Sequence, residues 1–343
     1  MIRRWCRCTL LFLLLIAEAT CYGGAPHCRE DSCSSRTGRR SALSRLIVDT
    51  VSIPIVTSAL LHPSYCFASD GVIVATEPPL PSLLESRYQQ HDDYPPPTYG
   101  MECPDIYYPP SFLGTWRAVS KTIDVQAPCG YDLFTGGKVA YDATYDTEVK
   151  GGKVLEYGAR FISSSLAGGG SEEIVIVVAD REYNAREIAK AAMGTFSVVD
   201  TPIATPNRYT CLLAPPGNDT GDLISVDILA IGRRAEPSAL TKRYFVCAEY
   251  VRQIVSRAKQ RRGGDNPNSL SLTVAAPLSV KEIETISIYN VNDDENKDRI
   301  TCQQRTATYL VPSQTDPIAF KKWQLSSGRP VDVRRYDVIY TRI

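Results

Sequence analysis

Histidine is scarce in this sequence and occurs only near its beginning, at His27, His62 and His91. We expect the first two to lie in segments that are removed during targeting, and the third in a proline-rich linker. The folded part then lacks an imidazole, which excludes a Ser-His-Asp or Cys-His nucleophile and most ligand sets for zinc or haem. The sequence therefore predicts no metal site and no histidine-dependent catalysis.

Carboxylates are the remaining candidates for acid–base chemistry. The closely spaced pairs that a hydrolase could use are Glu172/Glu173, Asp180/Glu182 and Glu282/Glu284. Carboxylates are common on solvated surfaces, and no phosphate-binding glycine motif stands between a strand and a helix. We therefore expect no catalytic residue and no cofactor.

Five cysteines follow the last expected cleavage site, namely Cys103, Cys129, Cys211, Cys247 and Cys302. None forms a C-x-x-C pair, which argues against a metal ribbon or a thioredoxin-type site. An oxidising compartment would allow one or two disulfides and leave one thiol unpaired. Buried free thiols that pack as small apolar groups are the alternative. The sequence leaves the pairing open.

The charge balance bears on nucleic-acid binding. The whole chain is neutral, with 38 basic and 38 acidic residues. The first 68 residues hold eight arginines against four acids, so the remainder carries a net charge of −4. Nucleic-acid-binding proteins normally present a basic face, and this balance argues against that class.

The N-terminal part has the pattern of two consecutive targeting signals. Residues 1–21 combine arginines, an apolar core and small residues before the expected cut, which is typical of a secretory signal peptide. Residues 22–68 begin with a Ser- and Arg-rich stretch. They continue through the twin arginines Arg39 and Arg40 to a small-x-small end at Ala68. This second pattern is typical of a twin-arginine signal.

This order of signals resembles the tripartite address of lumenal proteins in algae with secondary plastids. The resemblance implies a plastid transit segment followed by a signal for the thylakoid lumen. The alternative is ordinary secretion, with residues 40–68 forming a buried helix. Asp49 and Pro54 interrupt the apolar run, so we expect no transmembrane segment in the mature protein.

Proline dominates residues 69–106, where it argues against a regular helix or a central strand. We interpret this segment as a linker and residues 107–343 as one folded domain. In that domain, alternating and β-branched runs predict roughly nine or ten strands with short turns, which favours an antiparallel barrel or sandwich. One short helix is expected near 185–193, with Asn184 as its N-cap.

Several strand predictions depend on local pattern alone. Residues 136–163 are expected to form two strands joined by a hairpin at the Gly-Gly pair 151–152. Residues 172–181 are expected to form a strand buried on both faces. The pattern of the run 242–257 fits either a helix or a strand, and we expect a strand through Tyr250 that becomes helical after it. The final run, 329–343, predicts a strand that closes an edge of the sheet.

Four blocks of the domain together resemble an uncharacterised family of cyanobacterial and plastid proteins. They read PPSFLGTWRAVSKTIDVQAPCG, VVADREYNAREIAKAAMG, VKEIETISIYN and RPVDVRRYDVIYTR. The family is a domain of unknown function in proteins assigned to the thylakoid lumen. The likeness extends over 107–343, and this chain departs from it in longer polar loops and additional cysteines. It implies a location and a domain extent, and no activity.

The first block also resembles lipocalins and the lipocalin-shaped bilin lyases. In lipocalins a Gly-x-Trp begins the first strand, and an arginine near the C-terminal end packs on the Trp ring. Gly114 and Trp116 match the first feature, and Arg335 or Arg342 would supply the second by a cation–π contact. The resemblance implies a lipocalin-like antiparallel β-barrel.

Three hypotheses of function follow. The first is a non-enzymatic lumenal protein with a lipocalin-like barrel that binds a small apolar or pigment-like ligand or assists photosynthetic complexes. The second is a protein-interaction or assembly factor with a filled core. The third is an enzyme of the pigment lyase or isomerase kind that acts by binding geometry. The ligand-binding residues are unknown at this level.

Overall fold

The computed structural model describes most of the chain beyond residue 81. The described ranges are 82–90, 94–101, 105–166, 174–193, 197–215, 222–237, 244–262, 270–291, 298–313 and 315–343. The expected targeting residues Arg39, Arg40 and Ala68 lie outside these ranges, as does Cys103.

Ten strands and four α-helices make up the described part. The strands are β1 Gly114–Gln126, β2 Val154–Leu166, β3 Ile174–Ala179, β4 Ser197–Thr205, β5 Arg208–Ala214, β6 Asp222–Pro237, β7 Tyr244–Arg262, β8 Leu270–Asn290, β9 Arg299–Leu310 and β10 Asp332–Arg342. The helices are α1 Leu83–Gln89, α2 Gly137–Thr144, α3 Arg181–Met193 and α4 Pro317–Ser326, and a π-helical turn, Tyr145–Lys150, continues α2.

All ten strands belong to one curled, antiparallel sheet that forms a half-barrel. Their order is β3-β2-β1-β10-β9-β8-β7-β6-β5-β4, so the first strand pairs with the last and the two edges are β3 and β4. The C-terminal strand therefore lies in the middle of the sheet and is hydrogen-bonded on both sides. The expectation of a mainly antiparallel β fold with nine or ten strands is confirmed.

The helix α3 connects the two edge strands and packs between them. It contacts β2 on one side and β4 and β5 on the other. Its small residues Ala185, Ala189 and Ala192 are buried in one cluster with side chains from both halves of the sheet. Small side chains at this spacing allow the helix to approach the sheet closely. Gly158 shows the same constraint, because a Cβ there would lie 2.8 Å from the Tyr183 hydroxyl oxygen.

The start of α3 differs from the prediction. Asp180, instead of Asn184, caps the helix, since its Oδ1 accepts a hydrogen bond from the Tyr183 backbone N–H at 3.1 Å. The Asn184 amide instead bonds the backbone of Arg160 in β2, accepting from its N–H at 2.6 Å and donating to its carbonyl at 3.1 Å. Tertiary contact with β2 therefore decides the role of Asn184, which propensity alone assigns to a cap.

Three strand predictions are also corrected. Residues 137–150, expected in a strand, are helical. The strand β3 lies at an edge with Val175 69 % exposed, so it is not buried on both faces. The strand β7 continues without a helix to Arg262, because β6 and β8 pair with it on both sides over its length. Long-range pairing overrides local periodicity in this strand.

The proline-rich segment contains a helix, contrary to the prediction. The helix α1 occupies the interval between Pro81 and Pro95 and begins with a capping box, in which the Ser82 side chain and Glu85 each bond the other's backbone. Its Leu84 and Tyr88 are buried against side chains of β7 and β8. Residues expected to be a linker therefore cover part of the sheet.

The two faces of the sheet are distinct. On the concave face one cluster joins Ala159 of β2 to Cys211 of β5, although these strands lie far apart in the sheet order. The convex face is covered in part by α1, which packs on Val246 and Ile286. None of the described helices is both long and apolar enough to cross a membrane.

Candidate functional site

Trp116 lies on the concave face, fully buried near the start of β1. Its indole Nε1 donates a 2.7 Å hydrogen bond to the Phe112 carbonyl oxygen. The guanidinium carbon of Arg342 lies 4.3 Å from the centroid of its ring. The same guanidinium donates to the backbone carbonyls of Leu113 and Ser111 at 2.7 and 2.9 Å. Arg342 thus ties the end of the domain to its beginning.

The absence of a side chain at Gly114 leaves room for the Arg342 guanidinium. Its φ of +125° disfavours other residues, and a Cβ there would lie 2.9 Å from Arg342 Nη1. The other predicted arginine, Arg335, lies seven residues earlier in β10 and therefore on the opposite, convex face. Its guanidinium carbon is 5.1 Å from the Tyr88 ring centroid. Gly114, Trp116 and Arg342 come together in the structure, and Arg335 does not join them.

Aromatic rings fill the concave face beside Trp116. We call this the aromatic end, formed by Tyr108, Phe112, Phe161, Phe245 and Tyr289. The ring centroids of Tyr108 and Phe161 are 4.8 Å apart, and those of Phe112 and Tyr289 are 5.1 Å apart, both edge-to-face. Such contacts stabilise a core beyond the area that they bury. This end is packed with the protein's own side chains.

Polar residues occupy the other end of the concave face. We call this the polar end, formed by Gln253, Lys281, Thr308, Asp332 and Arg334, which come from four adjacent strands. Gln253 pairs with Lys281, and Thr308 pairs with Asp332, so the members of each pair point to the same side of the sheet. All five side chains are buried.

Several polar atoms at this end have no hydrogen-bond partner in the part of the chain that the structure describes. They are both amide atoms of Gln253, the hydroxyl of Thr308 and Nη1 of Arg334. Gln253 is 0 % exposed. A buried polar group without a partner costs about 1–3 kcal/mol, so most native groups of this kind bind something. The polar end is therefore the candidate ligand site.

A segment that we call the cover, residues 127–150, lies against the polar end. Its Phe134 ring centroid is 5.7 Å from the Arg334 guanidinium carbon, and Thr135 accepts a 3.0 Å hydrogen bond from Lys281 Nζ. Glu148, in the π-helical turn, accepts a 2.9 Å hydrogen bond from the Thr122 hydroxyl and lies 3.8 Å from Arg334. Single π-helical turns are frequent at functional sites.

Arg334 is held by carboxylates. It donates to both oxygens of Asp332 at 3.0 Å. Burial by itself would lower the pKa of Arg334, but Asp332 and Tyr336, followed by Glu148, raise it, so the guanidinium stays charged. Together, the polar end and Glu148 hold two cationic side chains, Arg334 and Lys281. They also hold two anionic side chains, Asp332 and Glu148.

A second ion cluster lies next to the polar end on the same face. Glu249 of β7 accepts hydrogen bonds from Arg181 at 2.8 Å and Arg233 at 2.9 Å. Arg181 also reaches Asp105 at 2.5 Å. Burial would raise the pKa of Glu249, but the two arginines overcome this effect and lower it to about 2. This cluster joins α3 to the floor of the half-barrel.

Three of the described cysteines, Cys211, Cys247 and Cys302, are free thiols. Burial raises the pKa of Cys211 to about 12, and it also raises the pKa of Cys247 and of Cys302. A protonated, buried thiol is a poor nucleophile. These three cysteines therefore pack as small apolar groups, the second of the two alternatives above.

The candidate carboxylate pairs have structural partners. Glu282 and Glu284 lie on the convex face, where Glu282 pairs with Arg252 and Glu284 pairs with Arg87 and accepts from Tyr99. Asp180 caps α3, and Glu182 pairs with Arg186 at 3.0 Å. Glu172 and Glu173 lie outside the described residues. Within those residues, no group of three or more potential ligands is placed to hold a metal ion.

A shallow groove of about 370 Å³ opens on the convex face at the end of α1. Tyr88, Gln89, Ile123, Gln303 and Arg335 contribute to its lining. Within this lining, Arg335 stacks on the Tyr88 ring. The groove is the weaker candidate because its lining shows no unpartnered buried group among the described residues.

Sequence reasoning missed the polar end, and above all Gln253. The expected switch to helix after Tyr250 removed Gln253 from the strand pattern. Cys247, Glu249 and Gln253 share one face of a continuous strand, and their alternation with residues of the opposite face was the available signal. No pattern in the sequence indicates that the Gln253 amide lacks a hydrogen-bond partner among the described residues.

Residues 100–343 match a family described as Domain of unknown function (DUF6816), and the chain belongs to this family. No curated protein matches the chain. No solved structure matches it either.

Proposed function

We propose that this protein is a lipocalin-like, non-enzymatic binding protein that holds a small apolar or pigment-like molecule on its concave face. The pairing of the first strand with the last, and the stacking of Arg342 on Trp116 behind Gly114, support the lipocalin-like interpretation. The helix α3 between the sheet edges stands where further strand pairing would close a full barrel.

One observation carries the proposal: the fully buried amide of Gln253 has neither donor nor acceptor paired among the described residues. A ligand group that both accepts and donates, such as an amide or lactam, complements it. The charges beside it balance, since Arg334 and Lys281 stand with Asp332 and Glu148, which favours a neutral polar group. Buried neighbours Val255 and Ile283 would contact the apolar body of the ligand.

Titration of the purified full chain tests this proposal. The probes are biliverdin, a linear tetrapyrrole with lactam ends, and a fluorescent fatty acid, which lacks the lactam. We expect biliverdin to bind and Gln253→Leu to weaken its binding at least roughly tenfold, as loss of a buried hydrogen-bonded pair does. The matched control is Gln303→Leu on the convex face of β9, which should bind normally. Equal binding by both variants contradicts the site.

The same variant has a second readout. In the absence of ligand, Gln253→Leu removes a buried amide that has no partner among the described residues and keeps a similar side-chain volume. The free energy of unfolding, measured by thermal denaturation, should therefore rise by about 1–3 kcal/mol. A fall in stability would show that the amide is already satisfied in the free protein. The site would then have no reason to take a ligand.

The packed aromatic end favours a second candidate, an assembly factor with a filled core. In that case neither probe binds, and native mass spectrometry of the protein from its own cells shows no small molecule. Co-isolation of photosynthetic subunits with the empty protein would then support the assembly function.

We also propose that the protein acts in the thylakoid lumen, which rests on the order of signals around Arg39, Arg40 and Ala68. Fusion of residues 1–75 to a fluorescent protein in an alga with secondary plastids tests the location. Substitution of both arginines by lysine should block only the final, lumenal step. Fluorescence in the secretory path would support secretion instead.

A further inference from the structure

The polar end holds a second group of unpartnered atoms besides the Gln253 amide. The Thr308 hydroxyl and Nη1 of Arg334 are buried, and neither has a hydrogen-bond partner among the described residues. Thr308 pairs with Asp332 in the register of β9 and β10, and Arg334 follows two residues later on the same face. Thr308 and Arg334 are therefore diagonal neighbours, close enough for a long side chain such as arginine to share one ligand group. We call these two residues the second anchor and the Gln253 amide the first anchor.

Asp332 determines which part of Arg334 is left for a ligand. It accepts hydrogen bonds from Nε and Nη2 of Arg334 at 3.0 Å, and Nη1 is the nitrogen without a partner among the described residues. Glu148 lies 3.8 Å from Nη1, which is too far for a hydrogen bond. A guanidinium N–H can only donate, and a hydroxyl can donate as well. The second anchor therefore complements an acceptor oxygen on a ligand.

The charges around the second anchor favour a neutral acceptor. Asp332 and Glu148 are both neighbours of the Arg334 guanidinium. Lys281 supplies the other positive charge, and its Nζ donates a 3.0 Å hydrogen bond to Thr135 of the cover. Because the two cations already balance the two anions, a carboxylate on the ligand would add an uncompensated charge to a buried site. The carbonyl oxygen of an amide, an ester or a ketone adds none.

The strand register sets the separation of the two anchors. Gln253 of β7 pairs with Lys281 on β8, and Thr308 of β9 pairs with Ile283 on the same strand, so the anchors lie two strands and two residues apart. At ordinary strand spacing and rise, their Cα atoms are ~12 Å apart, and the curl of the sheet brings their side chains closer. Ile283 lies between them on the concave face and is 1 % exposed. A ligand that reaches both anchors therefore crosses an apolar side chain.

From this arrangement we infer that the ligand of the concave face has two polar ends. An amide-type group binds the Gln253 amide, an apolar middle part lies over Ile283, and a neutral carbonyl oxygen accepts hydrogen bonds from the second anchor. This ligand class rests on the proposed function, since both use the Gln253 amide. It adds two properties that a single anchor lacks: affinity depends on the separation of the two polar groups, and a carboxylate at the second end weakens binding.

Calorimetric titration of the full chain with simple linear probes tests both properties. The probes are butanediamide, hexanediamide, octanediamide and decanediamide, the monoamides of equal length, and the acid amides that carry a carboxylate in place of one amide. We expect diamide affinity to peak at one length and there to exceed that of the matching monoamide roughly tenfold, as a hydrogen bond to a charged donor does. Monoamide affinity should rise steadily with chain length, because apolar area alone increases along that series. The acid amide of the best length should bind less tightly than its diamide.

Variants of Thr308 locate the second anchor. Thr308→Val removes the hydroxyl at nearly constant volume, so the preference for the diamide over the monoamide should fall roughly threefold or more. Thr308→Ser keeps the hydroxyl and should keep the preference. The matched control is Thr301→Val on the convex face of the same strand, which should behave as the unchanged protein.

The outcomes separate this ligand class from the proposed function. Monoamide binding that Gln253→Leu weakens, without a peak among the diamides and without an effect of Thr308→Val, overturns the second anchor and leaves the first standing. If no diamide binds, the two-ended ligand is also overturned, and the biliverdin titration decides the proposed function separately. A lower unfolding temperature for Thr308→Val than for Thr301→Val would show that the Thr308 hydroxyl is already bonded in the free protein, and it too overturns the second anchor.

Discussion

The aromatic end and the polar end share one concave face and differ in how their groups are satisfied. At the aromatic end, rings pack edge-to-face and the Trp116 N–H has its acceptor in Phe112. At the polar end, Gln253, Thr308 and Arg334 are buried, and each has a polar atom without a hydrogen-bond partner in the described part of the chain. The first arrangement stabilises the fold, and the second leaves binding capacity unused. If both ends served stability alone, apolar side chains at the polar end would make the fold more stable.

The buried charged side chains of the concave face form two clusters that can be compared in the same way. The cluster of Glu249, Arg181 and Arg233 joins α3 to the sheet through ion pairs, and Nε of Arg181 has no hydrogen-bond partner among the described residues. Arg334 pairs with Asp332 and lies 3.8 Å from Glu148, and its Nη1 has no hydrogen-bond partner among the described residues. The first network joins α3 to the sheet, whereas the second lies at the same end of the concave face as the Gln253 amide, which has no hydrogen-bond partner among the described residues. Three predictions follow from this contrast, in order of expected size.

Replacement of Trp116 tests the structural part of the comparison. Trp116→Ala removes a fully buried indole together with its hydrogen bond and its stacked arginine, so we expect a loss of about 3–5 kcal/mol of unfolding free energy. Chemical denaturation measures it. Ile339→Ala, on the convex face of β10, is the control and should cost less than about 1 kcal/mol. Similar losses in both variants would mean that the aromatic end is not the stabilising region.

The pH dependence of stability tests the Glu249 cluster. The folded-state pKa of about 2 lies below the ordinary value of 4.5, so this carboxylate stabilises the fold above about pH 4.5 and the contribution disappears as the pH falls toward 2. Glu249→Gln should therefore cost about 3 kcal/mol at neutral pH and almost nothing near pH 2. Denaturation curves across this range measure the difference. The control, Glu156→Gln in an exposed ion pair, should change little, and a pH-independent cost for Glu249→Gln would contradict the assignment.

The smallest effect concerns the arginine on the indole. Arg342→Met removes a cation–π contact and two hydrogen bonds to backbone carbonyls, with an expected loss of about 1–2 kcal/mol. Arg335→Met, which acts on the convex face, should lose less. Thermal unfolding compares the two. If Arg335→Met has the larger effect, the stacking on Trp116 contributes little to the closure between the first and last strands.

Part of this fold could be predicted from sequence because its signals are local. The alternation around Trp116 and in the final run marks β1 and β10 as strands, and the polar run between β8 and β9 marks their turn. Other elements depended on distant pairing. The run after Gly137 is helical although its composition resembles a strand, and β7 remains extended after Tyr250 because both of its neighbours are long.

The candidate site was even harder to predict from the sequence than these elements. Gln253 looks like an ordinary surface glutamine in sequence, and only the folded structure shows that it is buried. The choice between Arg335 and Arg342 likewise required the register of β10 against β1, since a shift of one residue exchanges the faces of a strand. The helix α1 was not predicted because the prolines on either side of it argued against regular structure in that segment.

The sequence by itself determined the β-rich class, the absence of histidine beyond residue 91, and the pairing of a Gly-x-Trp start with arginines at the far end. These follow from residue type and short spacing, which the chain carries locally. The tertiary structure alone decided which arginine meets Trp116, which thiols are buried, and which polar atoms lack a partner. Each of these depends on groups brought together from distant strands, and burial and hydrogen bonding exist only once that sheet has formed.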